Sequence, residues 1–179
     1  MSALPVSNPI VIEVPEPALV LMVAPSGAGK STFALQNFDP SEVIATDGCR
    51  KILTGTEEYD DRTCDAAFRL FHFIIKERLA AGFLTVADAT NLLAYSRQAL
   101  YTLAASFNVP VVALALEVPL EECVRRDGAR LRKVSRSIIE NQYAEFIRTK
   151  AELAREPLES WHVLYAQEVP RVVIQRVRQ

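Results

Sequence analysis

The stretch Val20-Leu-Met-Val-Ala-Pro-Ser-Gly-Ala-Gly-Lys-Ser-Thr32 constrains this chain more than any other. An apolar run fit for a buried strand enters a glycine-bearing turn and then helix-compatible sequence, Thr32-Phe-Ala-Leu35. Gly27-Ala28-Gly29-Lys30-Ser31 is the closing part of the phosphate-binding loop pattern G-x-x-x-x-G-K-[ST]. Such a loop turns its backbone N–H groups inward around a polyphosphate, and glycine permits the dihedrals and the close approach. The helix that follows presents unpaired N–H groups and the positive end of its dipole to the same anion. Residues Ser26, Gly27, Ala28, Gly29, Lys30, Ser31 and Thr32 are therefore expected to hold the phosphates of ATP. Lys30 would reach the β- and γ-phosphates, and Ser31 would place its hydroxyl on Mg²⁺. Ala24 stands where the pattern opens with glycine, which is compatible with the loop if its φ is negative.

Strand and helix patterns alternate along the rest of the chain. Leu19–Val23, Val43–Ala45, Leu84–Ala87 and Val111–Leu116 are apolar runs of strand length. Helical periodicity falls between them, at about 32–37, from Asp65 to Leu79, over Ala94–Phe107, at 120–130 and over Ser137–Glu156. Trp161–Tyr165 and Arg171–Arg178 read as late strands, and Ile10–Val14 as an extra edge strand with prolines on either side. Continuous apolar strands alternating with helices predict an α/β fold: a mainly parallel central sheet of four to five strands with helices on both faces. The 179 residues suggest a single domain, with 1–9 a loose N-terminal segment and about 126–137 an arginine-bearing lid. Leu53–Thr63 is polar and turn-rich. His72 lies on or beside the apolar stripe Phe68, Phe71, Ile75, Leu79 and reads as a core histidine.

Bulk composition narrows the partners. The formal charge is −2, so no global basic field recruits nucleic acid, and an anionic partner must be held by a local patch. Cys49, Cys64 and Cys123 form no metal-binding spacing and read as reduced, buried thiols of a cytoplasmic protein. Only His72 and His162 are available to a histidine metal site, and no apolar run is long enough to span a membrane.

Phosphoryl transfer needs positioning, charge neutralisation and a base or metal carboxylate more than it needs covalent chemistry. Asp47, at the tip of the second core strand, is placed to accept a proton from an attacking hydroxyl. Arg50 lies one helical turn further on and would neutralise a phosphate beside the acceptor. Asp88, after the next apolar strand, has the form of a metal carboxylate that would bind Mg²⁺ through water or hydrogen-bond Ser31. Asn91 belongs to the same motif, on the acceptor side. Arg97, near the start of the following helix, is as readily a surface charge as a site residue. Between Arg125 and Lys150 there are eight basic residues and three acidic ones. Arg126 and Arg130, four apart, would clamp the triphosphate from the side opposite the loop and stabilise the transferring phosphoryl group.

Taken in order, these segments resemble the kinase module of bacterial polynucleotide kinase-phosphatases. Ala24–Ala34 is similar to that family's phosphate-binding loop, Glu42–Arg50 to its stretch with a base aspartate and D-x-x-R arginine, and Arg78–Asn91 to its third strand and following motif. Arg126 and Arg130 stand where its lid arginines do. The resemblance implies a P-loop kinase fold in which Lys30, Ser31, Arg126 and Arg130 hold ATP and Mg²⁺. It also implies Asp47 as general base, and Arg50 on the phosphate next to a 5′-OH nucleic-acid acceptor, RNA or DNA. Separate phosphatase or ligase repair components are implied as partners, for a standalone kinase or an excised module. Ala24 and Thr46 depart from the family pattern, and the segment Asp60-Asp61-Arg62-Thr63 lacks a glutamine expected near the acceptor. The ATP machinery alone equally suits a kinase of a sugar acid, nucleoside or antibiotic, whereas a nucleotide-dependent switch has no use for Asp47 and two lid arginines.

Overall fold

The computed structural model describes residues 8–57, 61–129 and 133–178. In chain order the elements are β1 (Ile10–Glu16), β2 (Leu19–Val23), α1 (Lys30–Asn37), β3 (Val43–Ala45), α2 (Thr46–Thr54) and α3 (Asp61–Ala80). There follow β4 (Thr85–Asp88), α4 (Ala94–Ala105), β5 (Val111–Glu117), α5 (Leu120–Gly128), α6 (Arg136–Glu152), β6 (Ser160–Tyr165) and β7 (Val172–Arg178).

Five strands form one parallel sheet in the order β3-β4-β2-β5-β6. The strand of the phosphate-binding loop is its centre. Every residue of β2 is buried, because helices cover both faces and each side chain meets apolar neighbours whichever way it points. The period of two along the strand sorts the core into two layers. Val20 and Met22 pack with Phe33, Val112, Leu114 and Cys123. Leu19, Leu21 and Val23 pack with Phe71, Ile75, Leu100, Ala113 and Phe146. Burying a side chain of this size stabilises the fold by about 1.5–3 kcal/mol, so the strand below the loop is firmly anchored.

Ile10–Val14 lies within a strand, as its pattern suggests, but that strand stays out of the main sheet. It pairs in parallel with β7, from Ile10 opposite Val172 to Glu16 opposite Arg178, in a separate two-stranded sheet. Ile12 and Val14 still reach the first core layer. Arg176 fastens this ribbon to the body through Glu42, at 2.6 and 2.8 Å.

Two boundaries differ from the sequence reading. Helix α2 runs on to Thr54 and stops where Gly55 takes φ 76° and donates its N–H to the Lys51 carbonyl. Helix α3 starts at Asp61 rather than Asp65, since no glycine or proline between them interrupts it. Its buried stripe is Ala67, Phe71, Ile75, Leu79, one residue out of step with Phe68, which is 39% exposed. His72 is correspondingly half-buried rather than a core residue, with its Nδ1 3.0 Å from the Phe68 carbonyl oxygen. Cys49 and Cys123 are buried, as expected, whereas Cys64 is half-buried. Among the described residues no helix is long and apolar enough to cross a membrane.

Candidate active site

All four parallel strands that carry sequence motifs deliver them at the carboxyl end of the sheet, where open α/β folds bind ligands. At the centre, β2 feeds the loop 24–29 and α1. Ala24 is fully buried and keeps an ordinary negative φ, which is the condition for alanine at that place. Gly27 has no alternative. Its φ is 78°, and a Cβ there would lie 2.1 Å from the Cys123 carbonyl oxygen. The loop is therefore pressed directly on the backbone of α5. Gly29, at φ 96°, forms the left-handed entry to α1, so Lys30 is the first helical residue.

The Lys30 ammonium folds back on its own loop, donating to the carbonyls of Ala24 at 3.0 Å and Pro25 at 2.9 Å. Arg126 reaches the loop from the last turn of α5. Its Nη1 donates to the Ala28 carbonyl at 3.4 Å, while its Nε donates to Glu122 at 2.6 Å. Hydrogen bonds from Arg125 and then Arg126 hold the Glu122 carboxyl down to about 2. Cys123 sits beneath, and burial pushes its thiol up to about 11, against the opposing pull of Lys30 and Arg126. It is packing, not a nucleophile. Arg130, the second expected clamp, lies outside the described residues, as do Leu131, Arg132 and Asp60.

One strand pair away, β3 ends at Ala45, directly opposite Asp88 at the end of β4. Ala45 is the N-cap of α2, so Asp47 falls in the helix's first turn, where a carboxylate is favoured by the dipole. Arg50 donates to Asp47 Oδ1 at 2.6 Å and more weakly to the Glu57 carbonyl at 3.5 Å. The two side chains differ sharply in exposure, 4% for Arg50 and 40% for Asp47. Asp47 is thus open to solvent, while Arg50 is buried beside it.

Asp88 is 5% exposed at the tip of β4. Mg²⁺ keeps several waters and takes one or two carboxylates plus phosphate oxygens, so it needs no dedicated protein cage. A half-exposed Ser31 hydroxyl at the start of α1 and the Asp88 carboxylate on the neighbouring strand are donors of that kind. Among the described residues no group of three or more histidine, cysteine or acidic side chains forms a fuller metal site.

The motif after β4 has an architectural side that the sequence reading did not capture. Asn91, at φ 49°, donates its amide to the carbonyls of Met22 at 2.9 Å and Ala87 at 3.1 Å, stapling β2 to β4 below the loop. The Ala24 N–H then bonds the Thr90 carbonyl at 3.2 Å. Arg97 is neither surface charge nor ligand contact. It is fully buried, and its Nη1 donates to the carbonyls of Asn91 and Leu92. Its other nitrogens bond Glu156, at 2.6–3.1 Å, and Glu152 at 3.2 Å. A buried cation demands such partners, and Glu156 lies 59 positions away, which no local pattern reveals. Gln142 was equally invisible. From the middle of α6 its Oε1 accepts the Ser26 N–H at 2.8 Å.

Comparison with known proteins agrees with this geometry. The AAA domain family matches residues 19–151, from the loop strand through most of α6. L-seryl-tRNA(Sec) kinase of Methanococcus maripaludis is 27% identical over 137 residues, covering 72% of this chain and 52% of that protein. The chain thus spans about half the length of the curated relative it matches. Among solved structures, the Pnkp1/Rnl/Hen1 RNA repair complex aligns with TM-score 0.67 at 23% identity, over 76% of this chain and 46% of that one. A putative kinase from Chloroflexus aurantiacus aligns with TM-score 0.60 at 15% identity, over 87% of each chain. Loop, strand order and helical cover coincide with the matched span, and the chain belongs to the AAA domain family.

Proposed function

We propose that this protein transfers the γ-phosphate of ATP to a hydroxyl borne on nucleic acid, and specifically to the 5′-OH end of a polynucleotide. The observation that carries this reading is the Asp47–Arg50 pair, joined at 2.6 Å within α2, just beyond the end of β3, where Ala45 lies opposite Asp88. It is the D-x-x-R arrangement of polynucleotide kinases, at the strand end where an acceptor must enter. The similarity to a kinase named for seryl-tRNA supports an acceptor hydroxyl carried on RNA. The similarity to the RNA repair complex supports an end-healing setting with separate repair components.

In this reading the acceptor oxygen attacks the γ-phosphorus, the bond to the β–γ bridging oxygen breaks, and ADP leaves. Asp47 takes the acceptor's proton, a role worth about 10²–10⁴ in rate. Lys30 swings from its loop carbonyls onto the β- and γ-phosphates, and the backbone of 26–32 supplies the cradle. Arg126, together with Arg130, neutralises charge on the transferring group. Ser31 and Asp88 would hold Mg²⁺, which supplies charge neutralisation and alignment of the phosphates when bound. Arg50, which donates to Asp47 at 2.6 Å, orients that carboxylate and is assigned to a phosphate flanking the acceptor hydroxyl.

A second reading, a kinase of a small hydroxyl compound, is favoured by one feature. Arg50 is 3% exposed and presents almost no surface to an acceptor phosphate. One assay separates the two: γ-labelled ATP offered with a 5′-OH oligonucleotide beside a panel of sugar acids, nucleosides and aminoglycosides. Label on the oligonucleotide alone supports the first reading. Label on a small compound alone refutes it.

A further inference from the structure

The segment between α5 and α6 is anchored at both ends to the phosphate-binding loop. On the α5 side the contacts are Arg126 on the Ala28 carbonyl and the Cys123 carbonyl beneath Gly27. The segment's own ends are tied together where the buried Asp127 carboxylate accepts the Val134 N–H at 2.7 Å. On the α6 side, Ile139 is buried in the core layer that holds Ala24, Ala28 and Phe33. One turn further along α6, Gln142 accepts the Ser26 N–H. The other end of α6 is bolted down independently. Thr149 donates to the Leu92 carbonyl at 2.7 Å, and Lys150 pairs with Glu117 at 2.7 Å.

We infer that Gln142 is a positioning residue for the phosphoryl donor: it fixes the apex of the loop at Ser26 to α6, so that the loop is preformed for a γ-phosphate and α6 responds to its presence. The inference needs only the kinase class and is independent of what the acceptor is. Its logic is positional. The N–H groups of Lys30 and Ser31 open α1 and serve the inner phosphates. Ser26 lies in the earlier limb of the loop, next to Gly27, the limb we assign to the terminal phosphate. A backbone N–H held by a side chain 116 positions away is pinned in orientation. Releasing it costs the loop that orientation before any phosphate arrives, and preorganised donors are the ones that bind without reorganisation.

The test uses fluorescent N-methylanthraniloyl ATP and ADP, titrated in the presence of magnesium, so that no acceptor is required. Gln142→Met keeps the side-chain volume and removes the acceptor oxygen. Loss of one such bond changes an equilibrium by about fivefold to tenfold. The expected result is weakening of labelled ATP by that factor, with labelled ADP nearly unaffected and the melting temperature within a few degrees. Equal weakening of both nucleotides, or of neither, overturns the inference. If the variant does not fold, the unmodified protein answers the same question. Saturating AMPPNP with magnesium should slow hydrogen exchange across residues 136–145 more than ADP does. Identical exchange with the two nucleotides overturns the inference as well.

Discussion

The pair Asp47–Arg50 offers the sharpest perturbation. Arg50→Met keeps the buried aliphatic stem and deletes the guanidinium. The lost contacts include a charge-assisted hydrogen bond of 2.6 Å to Asp47. Such bonds contribute about 1.5–3 kcal/mol, and with Asp47 40% exposed the lower end applies. Stability should therefore fall by about 1.5 kcal/mol, leaving a folded protein to assay. The catalytic effect is larger. Arg50, buried beside Asp47, sets its rotamer, and misplacing a reacting group by about 1 Å costs on the order of 10²-fold in rate. Turnover would be measured with a 5′-OH oligonucleotide, a nucleoside 3′-phosphate and a plain nucleoside. If Arg50 acts through Asp47, kcat should drop by a similar factor on every acceptor that is turned over, with KM for the acceptor little changed. A rise in KM confined to the acceptors with a neighbouring phosphate refutes that reasoning and makes Arg50 a direct acceptor contact. Uniform loss supports Arg50 acting through Asp47 and moves recognition of the acceptor phosphate to other residues.

Lys30→Ala should abolish phosphoryl transfer while shifting the melting temperature little, because its ammonium donates to carbonyls of the loop itself, those of Ala24 and Pro25; equal loss of both would mark Lys30 as structural. Gly27→Ala should cost about 1–2 kcal/mol for the left-handed backbone and a further ~1–3 kcal/mol for overpacking against Cys123, and should abolish ATP binding in a fluorescence titration. Arg97→Met leaves Glu156 without its cation and should lower stability by about 3–5 kcal/mol in urea unfolding; Arg97→Met with Glu156→Leu should recover much of that. Burial pushes the Glu156 carboxyl up, but hydrogen bonds from Arg97 and Tyr101 outweigh it and leave it below the ordinary carboxylate range. A depressed carboxylate stabilises above its unfolded pKa and loses that contribution as pH falls through the folded one. Glu156→Gln should therefore flatten the acid limb of the stability profile, and an unchanged limb would contradict the assignment.

Much of the fold was legible because parallel sheets write themselves plainly. Leu19–Val23 and Val111–Leu116 are apolar on both faces, since helices cover both, and such runs are hard to misread. The partner of Ile10–Val14 was not legible. The strand meets β7 more than 150 positions later, and pairing over that separation leaves no trace in either segment alone. The stripe of α3 was misassigned by one residue because Ala67, small and easily passed over, is the buried member, while Phe68 beside it is partly exposed. An aromatic residue is a strong signal of burial only when its neighbours at i+3 and i+4 share its face.

The site divides along the same line. The half that grips ATP is built from backbone, and backbone demands are few: φ values of 78° and 96° at Gly27 and Gly29, a helix start at Lys30, and clearance against Cys123. Each restricts the residue type directly, so the loop announces itself in sequence. The half proposed to meet the acceptor is built from side chains whose roles depend on what stands behind them. Asp47 and Arg50 were identified by spacing, yet spacing cannot tell an arginine that faces an acceptor from one that braces an aspartate. Burial bears on the difference: Arg50 is 4% exposed and donates to Asp47, which is 40% exposed. Arg97 carries the point further. As a lone charge near a helix start it resembles any exposed arginine, yet it joins Asn91 and Leu92 to Glu156 and so holds together the floor on which the loop rests. A buried cation with several distant partners is specified by tertiary structure alone. The phosphate-binding loop is thus set by local sequence, and its seat on the sheet and on α6 is set by long-range contacts of Asn91, Arg97 and Gln142.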